Sequence, residues 1–134
     1  MRRTVALAFV ADVLLVVVFA AIGRASHDEG ILGTGGLGLL QTSWPFVVAL
    51  VAGWLVTRGW ARPLAPLRTG LGVWATTVVL GMALRAVSGQ GVAVAFVIVA
   101  SVTLLVLLVL LVGWRAVGAL VARASRRRRV RQDP

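Results

Sequence analysis

The sequence predicts an all-α integral membrane protein, a bundle of four transmembrane helices, and three observations support this fold class. The 134 residues are 60% hydrophobic with a mean hydropathy of +0.99, which is more apolar surface than a soluble core of this length can bury. Four apolar segments of roughly 20 residues, long enough to cross about 30 Å of hydrocarbon, follow one another. Arginines flank these segments, and the absence of cysteine excludes disulfides and thiolate chemistry.

The first predicted span covers residues 4–22, and only Asp12 interrupts it. Each Val, Leu, Ile or Phe in this span favours membrane insertion by about 0.3 to 0.6 kcal/mol. Together these residues outweigh the insertion free energy of roughly 2.5 to 3.5 kcal/mol that a carboxylate at the helix centre costs. A secretory signal peptide is the alternative, because Arg2 and Arg3 precede an apolar run and small residues follow near Ala25. The run is long for a signal peptide and contains an acid, so we expect a retained helix.

Three further spans are predicted at residues 44–61, 69–87 and 92–114. Ser43 is the expected N-cap of the second helix, with Pro45 in its first turn. The segment Ser88-Gly89-Gln90-Gly91 predicts a tight turn, so the third and fourth helices should form an antiparallel hairpin. Residues 1–117 are therefore expected to form the transmembrane domain, and residues 118–134 a basic cytoplasmic tail.

The arginines predict the orientation. All 14 basic residues are arginine, and only Arg24 and Arg85 fall on one side of the predicted membrane. The positive-inside rule assigns the opposite side, with both termini, to the cytoplasm of a multi-pass protein of the cell (inner) membrane. Four tail residues should fix this topology and contact anionic lipid, in preference to nucleic acid: Arg126, Arg127, Arg128 and Arg129.

An internal similarity appears at an offset of about 60 residues. It aligns Arg24-Ala25 with Arg85-Ala86, and Gly53-Trp54 with Gly113-Trp114. This offset raises the hypothesis of two tandem-duplicated helical hairpins related by rotation about the membrane normal. Chance similarity in a chain rich in Val, Ala, Gly and Leu is the alternative.

Asp12 is the main candidate for a functional residue, because an ionisable group within the hydrocarbon normally faces the bundle interior and has a partner or a role there. Counting about 1.5 Å per residue inward from the flanking arginines places Asp12 about 13 Å deep. Trp54, Thr76 and Thr77 fall near the same level, and their N–H and O–H groups can satisfy the carboxylate in a polar layer. Arg58 is a second candidate partner. Two interpretations stay open, a helix-packing clamp and a proton or cation site.

Small residues on two helices are candidates for close packing. Ala49 and Gly53 lie on the second predicted helix, and Gly70 and Gly81 on the third. Such residues let helix backbones approach closely in lipid. Packing within the chain is the expected use, and homodimerisation is the alternative.

Other motifs do not predict chemistry. Gly33, Gly35 and Gly38 fit G-x-G-x-x-G, but no strand precedes them and no acidic residue follows at the required distance. His27 beside two carboxylates lacks the spacing of a metal site. No catalytic constellation is visible, so neither an enzyme nor a metal or cofactor is expected.

A series of short motifs runs through the chain: Asp12-Val13-Leu14, Gly23-Arg24-Ala25-Ser26-His27, Trp44-Pro45-Phe46, Gly53-Trp54, Gly81-Met82-Ala83-Leu84-Arg85 and Gly113-Trp114-Arg115. In this order they resemble the family catalogued as domain of unknown function 3054, and the resemblance covers nearly the whole chain. It implies a small multi-span membrane protein of bacteria and archaea with no assigned activity. It supplies no substrate, cofactor or catalytic residue.

Two functions are consistent with these observations. The first is a small transporter-like or permeability element with Asp12 in its polar layer, which requires a homo-oligomer because one bundle of this size has little room for a pathway. The second is a structural or accessory subunit that packs against another membrane protein through its glycine faces. Membrane lipids are expected partners of either.

Overall fold

The computed structural model describes residues 2–26, 30–90 and 93–132, which are helical apart from short connections. The helices are α1 (Arg2–Ser26), α2 (Leu37–Thr57), α3 (Leu71–Val87), α4 (Ala93–Leu107) and α5 (Gly113–Gln132). The π-helical segment Pro66–Gly70 leads into α3, and the π-helical segment Leu108–Val112 joins α4 to α5, so that the two form one continuous fourth helix. The described residues contain no strand, and the predicted all-α class is confirmed.

Among the described residues, four helical stretches are long and apolar enough to cross a membrane: Arg2–Ala25, Leu37–Thr57, Pro66–Val87 and Ser101–Gln132. Large apolar side chains cover their outer surfaces. Leu7 is 70% exposed, Val79 is 72% exposed and Val109 is 69% exposed. Such a surface is stable only against lipid or another apolar surface, which confirms the predicted four-helix membrane architecture.

The start of α2 differs from its predicted position. The helix begins at Leu37, directly after Gly36, whose left-handed backbone (φ 78°) is accessible to glycine at little cost. Ser43 therefore lies inside the helix, where its hydroxyl donates to the carbonyl of Leu40 (3.4 Å), and it is not the N-cap. Pro45 is also inside α2, a position that transmembrane helices tolerate.

The end of the fourth helix also differs. The predicted fourth span ends at residue 114, but the helix continues through α5 to Gln132, so the basic segment is helical in its described part. Arginine is a good helix former, so the basic segment extends the helix at little cost. Its residues from Val117 onward are mostly exposed.

The core is built from residues that repeat every four positions. On α1 the buried stripe consists of Ala8, Asp12, Val16 and Ala20, and on the fourth helix it consists of Thr103, Leu107, Leu111 and Arg115. In an uninterrupted α-helix a four-residue spacing drifts around the axis, because one turn holds 3.6 residues. The π-helical segment Leu108–Val112 takes up more residues per turn and keeps its stripe on one face.

The small residues predicted for packing all lie inside the bundle. Ala49 is fully buried, and a Cβ at Gly53 would lie 3.2 Å from the Cα of Val73 on α3. A Cβ at Gly81 would approach a ring carbon of Phe46 to 2.6 Å. These close approaches join α2 to α3, which form the most extensive helix pair.

Five arginines lie at the end of the bundle where α1 begins and α2 ends, and we call it the arginine-rich end: Arg2, Arg3, Arg58, Arg62 and Arg68. The α2–α3 connection belongs to this end. It is closed by hydrogen bonds from the hydroxyl of Thr69 to the carbonyl of Arg62 (2.6 Å) and from the amide of Gly70 to the carbonyl of Ala65 (3.0 Å).

Candidate functional site

A buried ion pair between Asp12 and Arg115 lies at the arginine-rich end. The Arg115 guanidinium donates from Nη1 to Oδ1 (2.8 Å) and from Nη2 to Oδ2 (2.5 Å), a bidentate arrangement. Both side chains have zero exposed surface. The pair joins the middle of α1 to the first turn of α5, across 103 residues of sequence.

Two tryptophans complete the hydrogen bonding of Asp12. The indole of Trp54 donates to Oδ2 (2.8 Å), and the indole of Trp114 donates to Oδ1 (2.9 Å). Each carboxylate oxygen thus accepts two hydrogen bonds, which occupies about the full acceptor capacity of an ionised carboxylate. The Arg115 guanidinium carbon also lies 4.7 Å from the centroid of the Trp114 ring, within the range of a cation–π contact.

Two neighbours hold Trp54 in place. Phe9 meets the Trp54 ring edge-on, with the ring centroids 5.3 Å apart. A Cβ at Gly59 would lie 2.6 Å from the Trp54 ring, so only glycine leaves room for the indole at that position. The orientation of the indole N–H toward Asp12 is therefore fixed by packing from two sides.

Arg115 also binds two backbone carbonyls. Its Nε donates to the carbonyl of Pro63 in the α2–α3 connection (2.9 Å), and Nη1 donates to the carbonyl of Leu111 (2.8 Å). A Cβ at Gly70 would lie 3.3 Å from Cδ of Arg115, so this glycine gives space to the arginine stem. One guanidinium thus connects α1, the α2–α3 connection and the fourth helix.

This arrangement makes the charges tolerable in an apolar bundle. An isolated charge buried in hydrocarbon is costly, and a buried pair is stable only when its geometry is good and its other polar atoms are hydrogen-bonded. Both conditions hold for Asp12 and Arg115. Removing one partner would leave the other charged and buried, so the two residues depend on each other.

The predicted polar layer is only partly assembled. The structure brings Trp54 to Asp12, but it does not bring Arg58, Thr76 or Thr77 there. Arg58 is exposed and ends α2 in a left-handed conformation (φ 51°). The hydroxyl of Thr76 donates to the carbonyl of Gly72 (2.9 Å), and the buried hydroxyl of Thr77 has no hydrogen-bond partner among the described residues.

Depth along the bundle does not explain this difference, because Thr76 lies beside Gly53, the residue before Trp54: a Cβ at Gly53 would lie 3.3 Å from the Cβ of Thr76. Thr76 therefore faces α2, and its hydroxyl is bonded within α3, so it does not reach Asp12. Since α2 ends at Thr57, Trp54 and the ion pair lie close to the α2–α3 connection.

Arg115 and Trp114 are the residues that the sequence prediction missed. Arg115 was grouped with the arginines of the cytoplasmic flank, whereas the structure buries it completely. Two sequence signals indicate its role in retrospect. Arg115 continues the four-residue stripe of Leu107 and Leu111, and Gly113-Trp114 repeats the Gly53-Trp54 motif whose tryptophan also binds Asp12. The duplication of the two hairpins itself stays a prediction.

The glycine motif at the opposite end has a structural explanation. The Arg24 side chain donates to the carbonyl of Gly30 (3.1 Å) and to the hydroxyl of Thr42 (3.0 Å), and so ties α1 to α2. A Cβ at Gly33 or Gly38 would lie 2.7 or 2.5 Å from Nη2 of Arg24. These two glycines therefore make room for an arginine. His27 and the two carboxylates beside it, Asp28 and Glu29, lie outside the described residues.

Among residues 2–26, 30–90 and 93–132, no three His, Cys, Asp or Glu side chains are grouped so that they could hold a metal ion. The acidic side chain that the site contributes is fully engaged by Arg115 and the two indoles. The arrangement can hold the helices together, and loss of either charge would destabilise this contact.

In the described part of the chain, four helices able to span a membrane surround a buried ion pair, which defines a multi-pass helical membrane protein. The chain belongs to the family described as "Protein of unknown function (DUF3054)", whose model matches residues 9–118. The matched region includes Asp12, Trp54, Trp114 and Arg115, and it confirms the family resemblance of the sequence motifs. No curated protein and no solved structure matches the chain.

Proposed function

We propose that this chain is a non-enzymatic structural or accessory protein of the cell membrane, in which a closed bundle anchors a basic helix that meets a partner. The observation that carries the proposal is the Asp12–Arg115 ion pair. It fixes the first turn of α5 to α1 and is entirely buried. The pair thereby sets the direction in which the rest of α5 leaves the bundle.

The hydrogen bonding of Asp12 favours a clamp over a proton or cation site. A site that exchanges ions needs a carboxylate that solvent or the permeant ion can reach. Asp12 has zero exposed surface, and its oxygens accept four hydrogen bonds from Trp54, Trp114 and Arg115. A permeant cation would have to displace a bidentate guanidinium.

The surface of α5 is the best candidate for contact with a partner. Beyond Arg115 this helix continues for roughly 25 Å, at about 1.5 Å per residue, and its arginines are exposed: Arg123, Arg126, Arg127, Arg128, Arg129 and Arg131. The glycine faces expected to receive a partner are instead used inside the bundle, at Gly53, Gly70 and Gly81. An acidic segment of another membrane protein is the complementary partner.

Native mass spectrometry of protein gently extracted from its own membrane tests this proposal. We expect a stoichiometric complex with a second protein. Replacing Arg126, Arg127, Arg128 and Arg129 together by glutamine should abolish the complex, whereas replacing the same four by lysine should preserve it, because lysine keeps the charge. Raising the salt concentration should also weaken the complex, since exposed charges are screened.

A bare monomer in gentle extracts would contradict the proposal. So would a complex that the glutamine variant retains as well as the wild type. The lysine variant can form somewhat less of the complex than the wild type, because lysine lacks the planar donor geometry of arginine. The proposal requires that the glutamine variant forms less of the complex than the lysine variant.

We further propose that both termini face the cytoplasm, on the strength of the arginine distribution. The absence of native cysteine allows a direct test. A membrane-impermeant maleimide added to intact cells should label Ser88→Cys, in the exposed turn after α3, and should not label Ser125→Cys in α5. The reverse labelling pattern would show the opposite orientation.

A transporter-like function is the second candidate. The π-helical segments Pro66–Gly70 and Leu108–Val112 both lie beside Arg115, and π-helical turns are frequent at functional sites. This function predicts a homo-oligomer whose ion flux in liposomes is lost in Asp12→Asn. That result would replace the accessory proposal.

A further inference from the structure

A groove between α1 and α2 opens at the arginine-rich end. It has a volume of about 600 Å³, and its walls include Val5, Ala6 and Phe9 of α1 together with Val51 and Leu55 of α2. Leu55 is 61% exposed and Val51 is 40% exposed, so the groove opens sideways, toward the lipid. An apolar groove in this position accommodates an acyl chain.

The mouth of the groove carries positive charge. Arg2 lines the groove itself, and Arg62 lines a smaller neighbouring cavity of about 300 Å³. Val5 and Trp60 line both cavities, so the two lie side by side. Both arginines are exposed. A phosphate group above the apolar groove would therefore lie near two cations.

Trp60 occupies the boundary between the apolar and charged parts. Its side chain is 49% exposed and belongs to both cavities. Tryptophan is favoured at such boundaries, because its ring is apolar and its N–H can bind the headgroup region. The order of cations, an interfacial indole and apolar walls corresponds to the order of chemical groups along a phospholipid.

We propose that this groove is a binding site for one anionic phospholipid, with an acyl chain against Val5, Ala6, Phe9, Val51 and Leu55 and its phosphate near Arg2 and Arg62. Trp54 lines the same groove and donates to Asp12. The bound chain thus packs against a residue that holds the ion pair, so that the lipid also stabilises the clamp. This site does not depend on the identity of any protein partner.

Lipid titration of the purified full-length chain, followed by native mass spectrometry, tests the proposal. We expect the wild type to retain one phosphatidylglycerol in preference to phosphatidylcholine with the same acyl chains. Removing a basic residue near an anionic lipid costs about fivefold in affinity, so the double variant Arg2→Gln/Arg62→Gln should lose most of the preference. Arg3→Gln removes a neighbouring charge that does not line the groove and should leave the preference unchanged.

A second variant tests the apolar part independently of charge. Ala6→Trp fills the groove and should reduce retention of both lipids, whereas Ala83→Trp, at an exposed position of α3 outside the groove, should not. Ala6 is also exposed, so neither substitution disturbs the core, and circular dichroism verifies the fold of each variant.

Three results would overturn the proposal: unchanged lipid retention in Ala6→Trp, an effect of Arg3→Gln as large as that of Arg2→Gln/Arg62→Gln, or displacement of the lipid by soluble glycerol phosphate at equal concentration. The last result would show that the headgroup alone is recognised. Loss of the protein partner in the α5 variants leaves this site unaffected, so the two proposals fail separately.

Discussion

Replacing Asp12 by alanine is expected to lower the free energy of unfolding by about 3 to 5 kcal/mol, the cost of leaving a buried charge without its partner. Arg115 would keep its position, fully buried, with no carboxylate opposite it. The indoles of Trp54 and Trp114 would also lose their acceptor. Unfolding in mixed micelles with increasing SDS, followed by tryptophan fluorescence and circular dichroism, measures the change.

The double variant Asp12→Leu/Arg115→Met is the control that separates charge from packing. Replacing a buried ion pair by apolar residues of similar size is often neutral, so the double variant should recover at least half of the stability lost in Asp12→Ala. Arg123→Met, an exposed arginine on the same helix, should have little effect. If the double variant is less stable than Asp12→Ala, the two side chains are not coupled as the structure shows.

Gly53→Leu is expected to be the most damaging single substitution at a packing glycine, with a loss of about 1 to 3 kcal/mol or more from overpacking. A Cβ at this position would lie 3.2 Å from the Cα and 3.3 Å from the carbonyl oxygen of Val73, and backbone atoms cannot move aside as a flexible side chain can. The substitution should force α2 away from α3. Trp54 follows directly, so the hydrogen bond to Asp12 should be weakened as well.

Gly118→Leu is the matched control, because a Cβ at Gly118 meets no atom within 4 Å and the residue is exposed. Its stability in the same SDS titration should equal or slightly exceed that of the wild type, since leucine is a better helix former than glycine. Equal losses for the two substitutions would mean that α2 and α3 do not approach as closely as described.

The described helices show why some boundaries could be predicted and others could not. Hydropathy and length are properties of a segment by itself, so four spans follow from the sequence without knowledge of packing. The start of α2 at Leu37 was missed, because the preceding glycines do not show whether the chain is already helical. Similarly, the fourth helix continues past residue 118, because a change from apolar to basic residues marks the membrane edge and does not end a helix.

Part of the candidate site was predicted from the sequence, and part of it was not. Asp12 is the acidic residue within an apolar segment, so the sequence alone identifies it. Trp54 was predicted because counting residues along the second helix places it at a depth similar to that of Asp12. Arg115 was not found among the 14 arginines, because the stripe and the Gly-Trp repeat that distinguish it have a meaning only once the inward face of the fourth helix is known. Its assignment required knowing which face of the fourth helix points inward.

By itself, the sequence determined that this protein is an all-α membrane bundle with one acid in its first helix and glycines where its helices meet. The tertiary structure decided the partner of that acid. The reason is physical: composition fixes whether a helix lies in lipid, but its rotation about its own axis depends on packing against other helices. Here the fourth helix turns Arg115 inward to meet Asp12, whereas Arg58 is exposed at the end of α2.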